Sequence, residues 1–423
     1  MLTGDALTGR FMLSVALLLL AARVGGGLAQ RLRQPRVIGE VLVGLLLGPS
    51  LFGAFLPDLR GYLFPEPALP LVGAVANVAL VTYMFLIGVD LRRPMTGGAA
   101  AVPMRRVVVT SLLNFVVPFA IGVAGAEFIS SPPAGTNDLA FHLFVGVALA
   151  VSAVPVLARI LDERGLLDDP LGRLAISVAA NGDVAAWSVL GATTALVAGG
   201  SGSVFVWTLL IGGLAIVGAL ISGRTRRDRP VVSRISLGTG DWTVGLLVGV
   251  LAATFATQAG GIGVIFGSFL FGLAVGRLTS APEAALVPLR GIANLLVPLY
   301  FVETGVRADL GSLADPRLLG AGLALIVLAV VVKMGAALAA SALTGLRPRD
   351  GLVVGVMLNA RGLTELVVLN VGLDAGIISV QVFTLFVVMA LATTAFTGPA
   401  LDRLRVVGSG PATERAAPGS TGS

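Results

Sequence analysis

Apolar runs about as long as a bilayer is thick recur from one end of this chain to the other, and nothing else in the sequence constrains the fold so strongly. The hydrocarbon core is about 30 Å thick and a helix rises about 1.5 Å per residue, so a spanning helix needs roughly 20 apolar residues. About thirteen such spans can be placed, at residues 11–28, 37–55, 71–89, 107–126, 140–160, 171–198, 204–221, 242–259, 261–278, 287–306, 318–344, 350–373 and 380–400. The fifth, tenth and twelfth are less uniformly apolar than the rest. FMLSVALLLLAARVGGGLAQ has a poorly charged N-terminal flank and more spans follow at once, so it reads as a first span rather than a cleaved leader. Composition agrees: 56% of the 423 residues are hydrophobic and 12% charged, with a mean hydropathy of +0.95. A soluble chain carries about 25% charged residues. The expected class is an all-α polytopic membrane protein. It leaves almost no length for a separate soluble domain, and residues 401–423 form a short polar tail expected to be disordered.

Charge in the connections orients the spans. With the N-terminus outside, the cytoplasmic segments hold 22 of the 29 basic residues, while the opposite side holds 4: Arg10, Arg60, Arg307 and Arg317. Arg23, Lys333 and Arg361 fall inside spans. This asymmetry favours an odd number of spans and a cytoplasmic C-terminus. It also accounts for the net charge of +6 and the pI near 10.8 without nucleic acid. The chain contains no cysteine, which excludes disulfides, thiolate metal sites and thiol catalysis. The single histidine, His142, excludes His-cluster metal sites. No P-loop, HExxH or GxSxG motif is present, so neither an enzyme nor a cofactor is expected. Glycines spaced by four (Gly44/Gly48, Gly263/Gly267, Gly272/Gly276) read as close helix contacts.

Charges inside spans are costly and tend to be functional. Asp183 lies about twelve residues into the sixth span, near mid-membrane, among small apolar residues in AANGDVAAW. Lys333 is as deep in the eleventh span, and it is the only lysine in the chain. A lysine can give up its proton when buried, whereas an arginine keeps it. A structural ion pair is the alternative for both. Glu303 and Glu365 lie in the tenth and twelfth spans, and Arg361, one turn from Glu365, could simply pair with it. Glu40 is close enough to the start of the second span to snorkel to the interface. His142, at the outer end of the fifth span, reads as an interface residue.

Two spans look interrupted. Pro155 in VGVALAVSAVPVLARIL lacks an N–H, and Ser152 offers a hydroxyl beside the break. Asn359, Arg361 and Gly362 sit together within LVVGVMLNARGLTELVVLNVGL. Unwound backbone at membrane depth is tolerated only where it is buried in protein or lines a cavity. Two breaks in oppositely crossing spans point to a midplane ion site between inverted repeats. A carboxylate near free carbonyls and a hydroxyl is a hard oxygen site suited to Na⁺ or K⁺, and a desolvated carboxylate also exchanges a proton. Cation and proton competing for one anion is the chemistry of antiport.

These stretches carry a resemblance. SAVPVLARILDERGLLDDPLGRLAISVAANGDVAAW and LNARGLTELVVLNVGLDAGIIS resemble the two signature regions of the monovalent cation:proton antiporter-2 family, the Kef-type and CHX-like exchangers. RQPRVIGEVLVGLLLGPSLFG and VPLYFVETGVRADL look like its N-terminal and tenth-span segments. The similarity covers about residues 10–400. It implies a thirteen-span fold in which a core domain (about 107–198 and 318–400) moves against a dimerisation scaffold. It further implies a homodimer in the bacterial plasma membrane. Asp183 would be the transport carboxylate. Asp183, Ser152 and Asn181 are expected to bind the ion and proton, with Asp183 and Ser152 as cation ligands, and Lys333, Glu303, Arg361 and Glu365 are expected as supporting charges. Pro155, Asn359 and Gly362 would mark the broken helices. One departure stands out: family members usually carry Asp-Asp or Asn-Asp, and this chain has Gly182 before Asp183. Without the first carboxylate, Lys333 should lose its proton or find another anion such as Glu303 or Glu365. A single cycling carboxylate favours electroneutral exchange. The alternatives are a Kef-like potassium efflux channel gated by a separate subunit, and an exporter of an anionic or ionophore-like metabolite.

Overall fold

The structure, a computed structural model, describes residues 4–90, 102–167, 169–197, 238–259, 264–278 and 283–404. The expected span at 204–221 and Gly263 lie outside these residues. The remaining twelve expected spans each coincide with a helix or a pair of helices, and no strand occurs among the described residues. In chain order these are α1 (Gly4–Arg31), α2 (Arg36–Leu47), α3 (Phe52–Phe55), α4 (Pro57–Leu63), α5 (Leu69–Asp90), α6 (Met104–Ile129), α7 (Asp138–Ala150) and α8 (Val154–Asp162). They continue with α9 (Pro170–Val197), α10 (Thr239–Ala259), α11 (Val264–Leu278), α12 (Glu283–Arg307), α13 (Pro316–Thr344), α14 (Pro348–Leu358), α15 (Leu363–Asp374) and α16 (Val380–Arg403). Chain chemistry sets several ends. Asn137 and Ser379 accept from the free amides of Ala140 and Val382 at the starts of α7 and α16, and Gly345 closes α13 in the left-handed conformation that glycine adopts freely.

The outer faces are apolar. Leu323, Val327 and Val331 form an exposed stripe on α13, and Val244, Val248 and Phe255 do the same on α10, where only lipid would tolerate them. Inside, α6, α7, α9, α13, α14 and α16 pack on one another. So do α1, α2, α5, α10, α11 and α12. Glycines set the closest approaches in the second group: a Cβ on Gly44 would collide with Val302 and Gly305 of α12, and one on Gly272 with Phe85 and Gly88 of α5. Asp90 at the end of α5 accepts two bonds from Arg290 of α12, at 2.7 and 2.9 Å. The two groups touch where α12 meets α15 and α9 meets α11.

Candidate functional site

The two interrupted spans meet at their breaks. Helix α7 stops at Ala150, residues 151–153 are extended, and α8 starts at Val154. Pro155 sits in the first turn of α8, where its missing N–H costs nothing, so it starts a helix rather than kinking one. The second break, between Leu358 and Leu363, bends its span by 50°. The freed backbone groups are matched across the crossing. The amide of Ala153 donates to the carbonyl of Ala360 at 3.0 Å, and the hydroxyl of Ser152 donates to the carbonyl of Leu358 at 2.8 Å. Thr394 of α16 accepts from the amide of Arg361 at 2.8 Å and donates to its carbonyl at 2.6 Å. Ser152, Asn359 and Arg361 are all buried, as unwound backbone at this depth requires.

The end of α7 leaves carbonyls without helical partners and carries the negative pole of the helix. Two cations from distant segments cover it. The Arg361 guanidinium donates to the carbonyls of Ala148 (2.8 Å) and Leu149 (2.6 Å). Lys333 Nζ donates to the carbonyl of Ala150, to Ser152 Oγ (2.7 Å) and to Asn114 Oδ1 (3.1 Å). The proton of Ser152 goes to Leu358, so its oxygen faces Nζ as an acceptor. Four oxygens thus surround the nitrogen, the carbonyl of Asn114 at 3.4 Å being the fourth, so each of the three donors of an ammonium has an acceptor. Among the described residues neither Glu303 nor Glu365 bonds Lys333, though Glu365 is within electrostatic range of it. Glu303 accepts from Arg307 at 2.9 Å, and Arg307 also holds Asp374 at 2.5 Å. Glu365 pairs with Arg361 at 3.0 Å with both side chains wholly buried, the local pair that the one-turn spacing suggests.

Asp183, halfway along α9, is fully buried, and among the described residues neither carboxylate oxygen accepts a hydrogen bond of good geometry. The group turned toward it is the amide of Val154, the first free N–H of α8. Lys333 is within electrostatic range without bonding it. One turn on, Trp187 is buried against Phe269 of α11, with ring centroids 6.5 Å apart. Ser152 is committed to Lys333 and Leu358, and the Asn181 amide donates to Ser111 Oγ at 3.0 Å. Both therefore face the lysine side of α9 rather than Asp183. Beside Gly182 there is open space: a cavity of about 10 Å³ between Ser111, Asn114, Ser152, Gly182 and Lys333, close to the room one water needs.

A second cavity, of about 910 Å³, separates α1, α2, α5 and α12 from α8 and α15. Its walls include Tyr83, Pro155 and Leu363, which brings it to the start of α8, and Tyr83 is within electrostatic range of Asp183. Glu40 also lines it. At 6% exposure Glu40 does not snorkel to the interface, because the second turn of α2 packs against Gly26 of α1. His142 is half-buried near the start of α7, its Nδ1 2.7 Å from the carbonyl of Asp138, in keeping with an interface position. Sequence reasoning missed Asn114, Thr394 and Tyr83. A mid-span asparagine in LLNFVV was a readable signal; Thr394 looks like every other membrane threonine.

The described helices fit known proteins. The model of the sodium/hydrogen exchanger transmembrane family matches residues 15–405. The chain is 32% identical over 391 residues to "Na(+)/H(+) antiporter NhaS4" of Synechocystis sp., covering 90% of this chain and 94% of that protein. It is 34% identical to "Cation/H(+) antiporter 18" of Arabidopsis thaliana and 29% identical to "K(+)/H(+) antiporter 1" of Saccharomyces cerevisiae, spanning 48% and 46% of their lengths. This chain is therefore about half as long as those two relatives. The solved structure of the sodium proton antiporter MjNhaP1 from Methanocaldococcus jannaschii at pH 8 shares the fold, with a TM-score of 0.61 at 14% identity over 94% of this chain and 97% of that one.

Proposed function

This chain belongs to the sodium/hydrogen exchanger transmembrane family and is a cation/proton antiporter, and from that premise we propose that Asp183 is the carboxylate on which a monovalent cation, Na⁺ or K⁺, competes with a proton. The observation that carries the reading is a fully buried carboxylate that accepts no hydrogen bond of good geometry among the described residues and faces the first amide of a helix. One free amide and the pole of α8 offset about 0.3–1 kcal/mol of its charge. Removing an ion from water costs several kcal/mol. The empty anion is therefore too costly to carry through the apolar barrier, while the sodium-, potassium- or proton-loaded form is not. That difference couples the two fluxes.

Lys333 acts in this scheme as a fixed cation. Its three protons are spent on Ala150, Ser152 and Asn114, and the negative end of α7 offsets its burial. Gly182 supplies no second carboxylate, so one proton exchanges for one cation and the cycle is electroneutral. The group containing α6–α9 and α13–α16 is the moving core, and α1, α2, α5 and α10–α12 form the scaffold and the homodimer face. The basic charge of the loops supports a large cavity that opens toward the cytoplasm of a bacterial cell, with the C-terminus inside. Ser152 and Asn181 position the lysine side of the site, and the cation ligand is Asp183.

Proteoliposomes loaded with a proton gradient and challenged with Na⁺, K⁺ or Li⁺ test the assignment. Asp183→Asn is expected to abolish cation-dependent proton flux, and flux surviving that change rejects it. Cation flux indifferent to the proton gradient would favour the channel alternative. A response to imposed membrane potential would refute electroneutrality alone.

A further inference from the structure

Among the described residues, the polar ties between the two helix groups lie at one end. At the far end of α12, Arg307 reaches Asp374 of α15 at 2.5 Å, and Asn370 of α15 donates to Thr304 of α12 at 2.7 Å. About 20 Å away along α12, at 1.5 Å per residue, Asn294 and Leu295 border the 910 Å³ cavity, and neither makes a side-chain hydrogen bond to the other group among the described residues. Glu40 of α2 lies in that cavity wall. It is 94% buried, and no hydrogen bond to its carboxylate exists among the described residues. Three arginines are within electrostatic range of it: Arg36, Arg159 and Arg23. Arg36 is on the same helix one turn earlier and already donates to Gln30 at 2.6 Å. Arg23 is on α1, which packs against α2. Arg159 alone belongs to the opposite group, on α8, directly after the break that faces Asp183. Its present partner is Glu163 at 3.0 Å, an exposed pair of the kind that holds weakly.

We propose that Glu40 and Arg159 are the inner latch of this antiporter. The pair is open in the state seen, and it forms when the large cavity closes, in exchange for the Arg307–Asp374 pair on the other side. Arg159 leaves Glu163 at little cost, because that pair is solvent-exposed. Glu40 gains its first partner, and the two charges shield each other from the apolar wall as water leaves. The latch also gives α8 a reason to travel with its break. The residue that closes the cavity is on the same short helix whose N-terminus holds the transport carboxylate, so closure and loading are mechanically joined. This rests on the alternating-access reading above.

Reconstituted full-length protein tests it. Glu40→Arg and Arg159→Glu singly are expected to lower the maximal antiport rate about tenfold, and the double swap to recover to within about twofold of wild type, since like charges facing across a closing gap oppose closure. The chain has no cysteine of its own, so Glu40→Cys with Arg159→Cys reports proximity cleanly. This pair should cross-link on oxidation more readily when the outer tie is weakened by Asp374→Asn, and the cross-link should stop transport until it is reduced. Single variants at wild-type rates, or a double swap without recovery together with no cross-link in the Asp374→Asn background, overturn the latch. Failure of the antiport reading shows elsewhere, in wild-type flux that survives Asp183→Asn.

Discussion

Two helix N-termini in this protein, those of α8 and α15, each face a buried carboxylate, and they are balanced in opposite ways. Glu365 stands in the first turn of α15 and takes a bond from Arg361 four residues earlier, so its charge is matched inside one short segment. Asp183 reaches the start of α8 from another helix, and among the described residues only the Val154 amide is turned toward it, with no cation bonded to it. The same asymmetry runs through the two breaks. The Asp138–Asp162 span passes its break as one crossing, while the 348–374 span bends by 50° around an internal ion pair. An intramembrane carboxylate with a built-in cation is structure. One that faces a helix pole and has no fixed cation bonded to it is, on the reading proposed above, where an exchangeable cation belongs.

The sharpest way to break that comparison is to make the same chemical change at both sites. Asp183→Asn removes a charge that has no partner, so thermal stability in detergent should hold within about 1 kcal/mol, while transport vanishes. Glu365→Gln takes the anion from the buried Arg361, which keeps only the carbonyls of Ala148 and Leu149, and removing one member of a buried pair costs about 3–5 kcal/mol. The measurement is the thermal midpoint beside proteoliposome flux for each variant. If both variants lose stability alike, the two carboxylates are equivalent and the division fails.

How far the sequence anticipates this arrangement depends on what kind of information each part needs. Apolar length and loop charge suffice for the spans, since the bilayer imposes both. Both breaks are also readable, Pro155 and the Asn359–Gly362 cluster being residues a continuous span would not choose. Asp183 and Lys333 stand out because charge at that depth is rare. What spacing along the chain cannot convey is who meets whom across helices. The one-turn spacing of Arg361 and Glu365 makes their pair legible, whereas the bonds of Lys333 to Ala150 and Ser152 join residues about 180 positions apart. Glu40 reads as an interface residue from its place in α2; its burial comes from α1, whose packing no local pattern reveals.

Ligand-induced stability sharpens the comparison further. A cation bound at Asp183 should raise the thermal midpoint by about 2.7 kcal/mol equivalent at a concentration of 100 Kd. That gain should disappear in Asp183→Asn and persist, from a lower baseline, in Glu365→Gln. Persistence in Asp183→Asn would place the cation elsewhere. Lys333→Met probes the cap on α7 in the same way. It strands the carbonyl of Ala150 and the amide oxygen of Asn114, at about 1–3 kcal/mol per unmatched group, partly offset by removing a buried charge. The expected net is a loss near 2 kcal/mol with exchange still indifferent to membrane potential. A Lys333→Met protein whose transport becomes potential-sensitive would make the lysine a carrier of protons rather than a cap.

The smallest effect expected comes from Gly182→Ala, and it bears on the lysine side of the comparison. A Cβ at this position meets nothing within 4 Å, so no clash opposes it. Glycine inside a helix is about 0.8–1.0 kcal/mol less favourable than alanine, and the added methyl points into unfilled space beside a cavity of about 10 Å³. On packing and propensity alone, the variant should be slightly more stable than wild type and should transport at the same rate. If that small cavity instead holds a water that joins the Ser111 hydroxyl to Asn114, the methyl displaces it and leaves those polar groups short of a partner. Stability would then fall rather than rise. The sign of a shift below about 1 kcal/mol therefore decides whether the room left by Gly182 is merely empty or part of how this chain balances a cation that has no anion beside it.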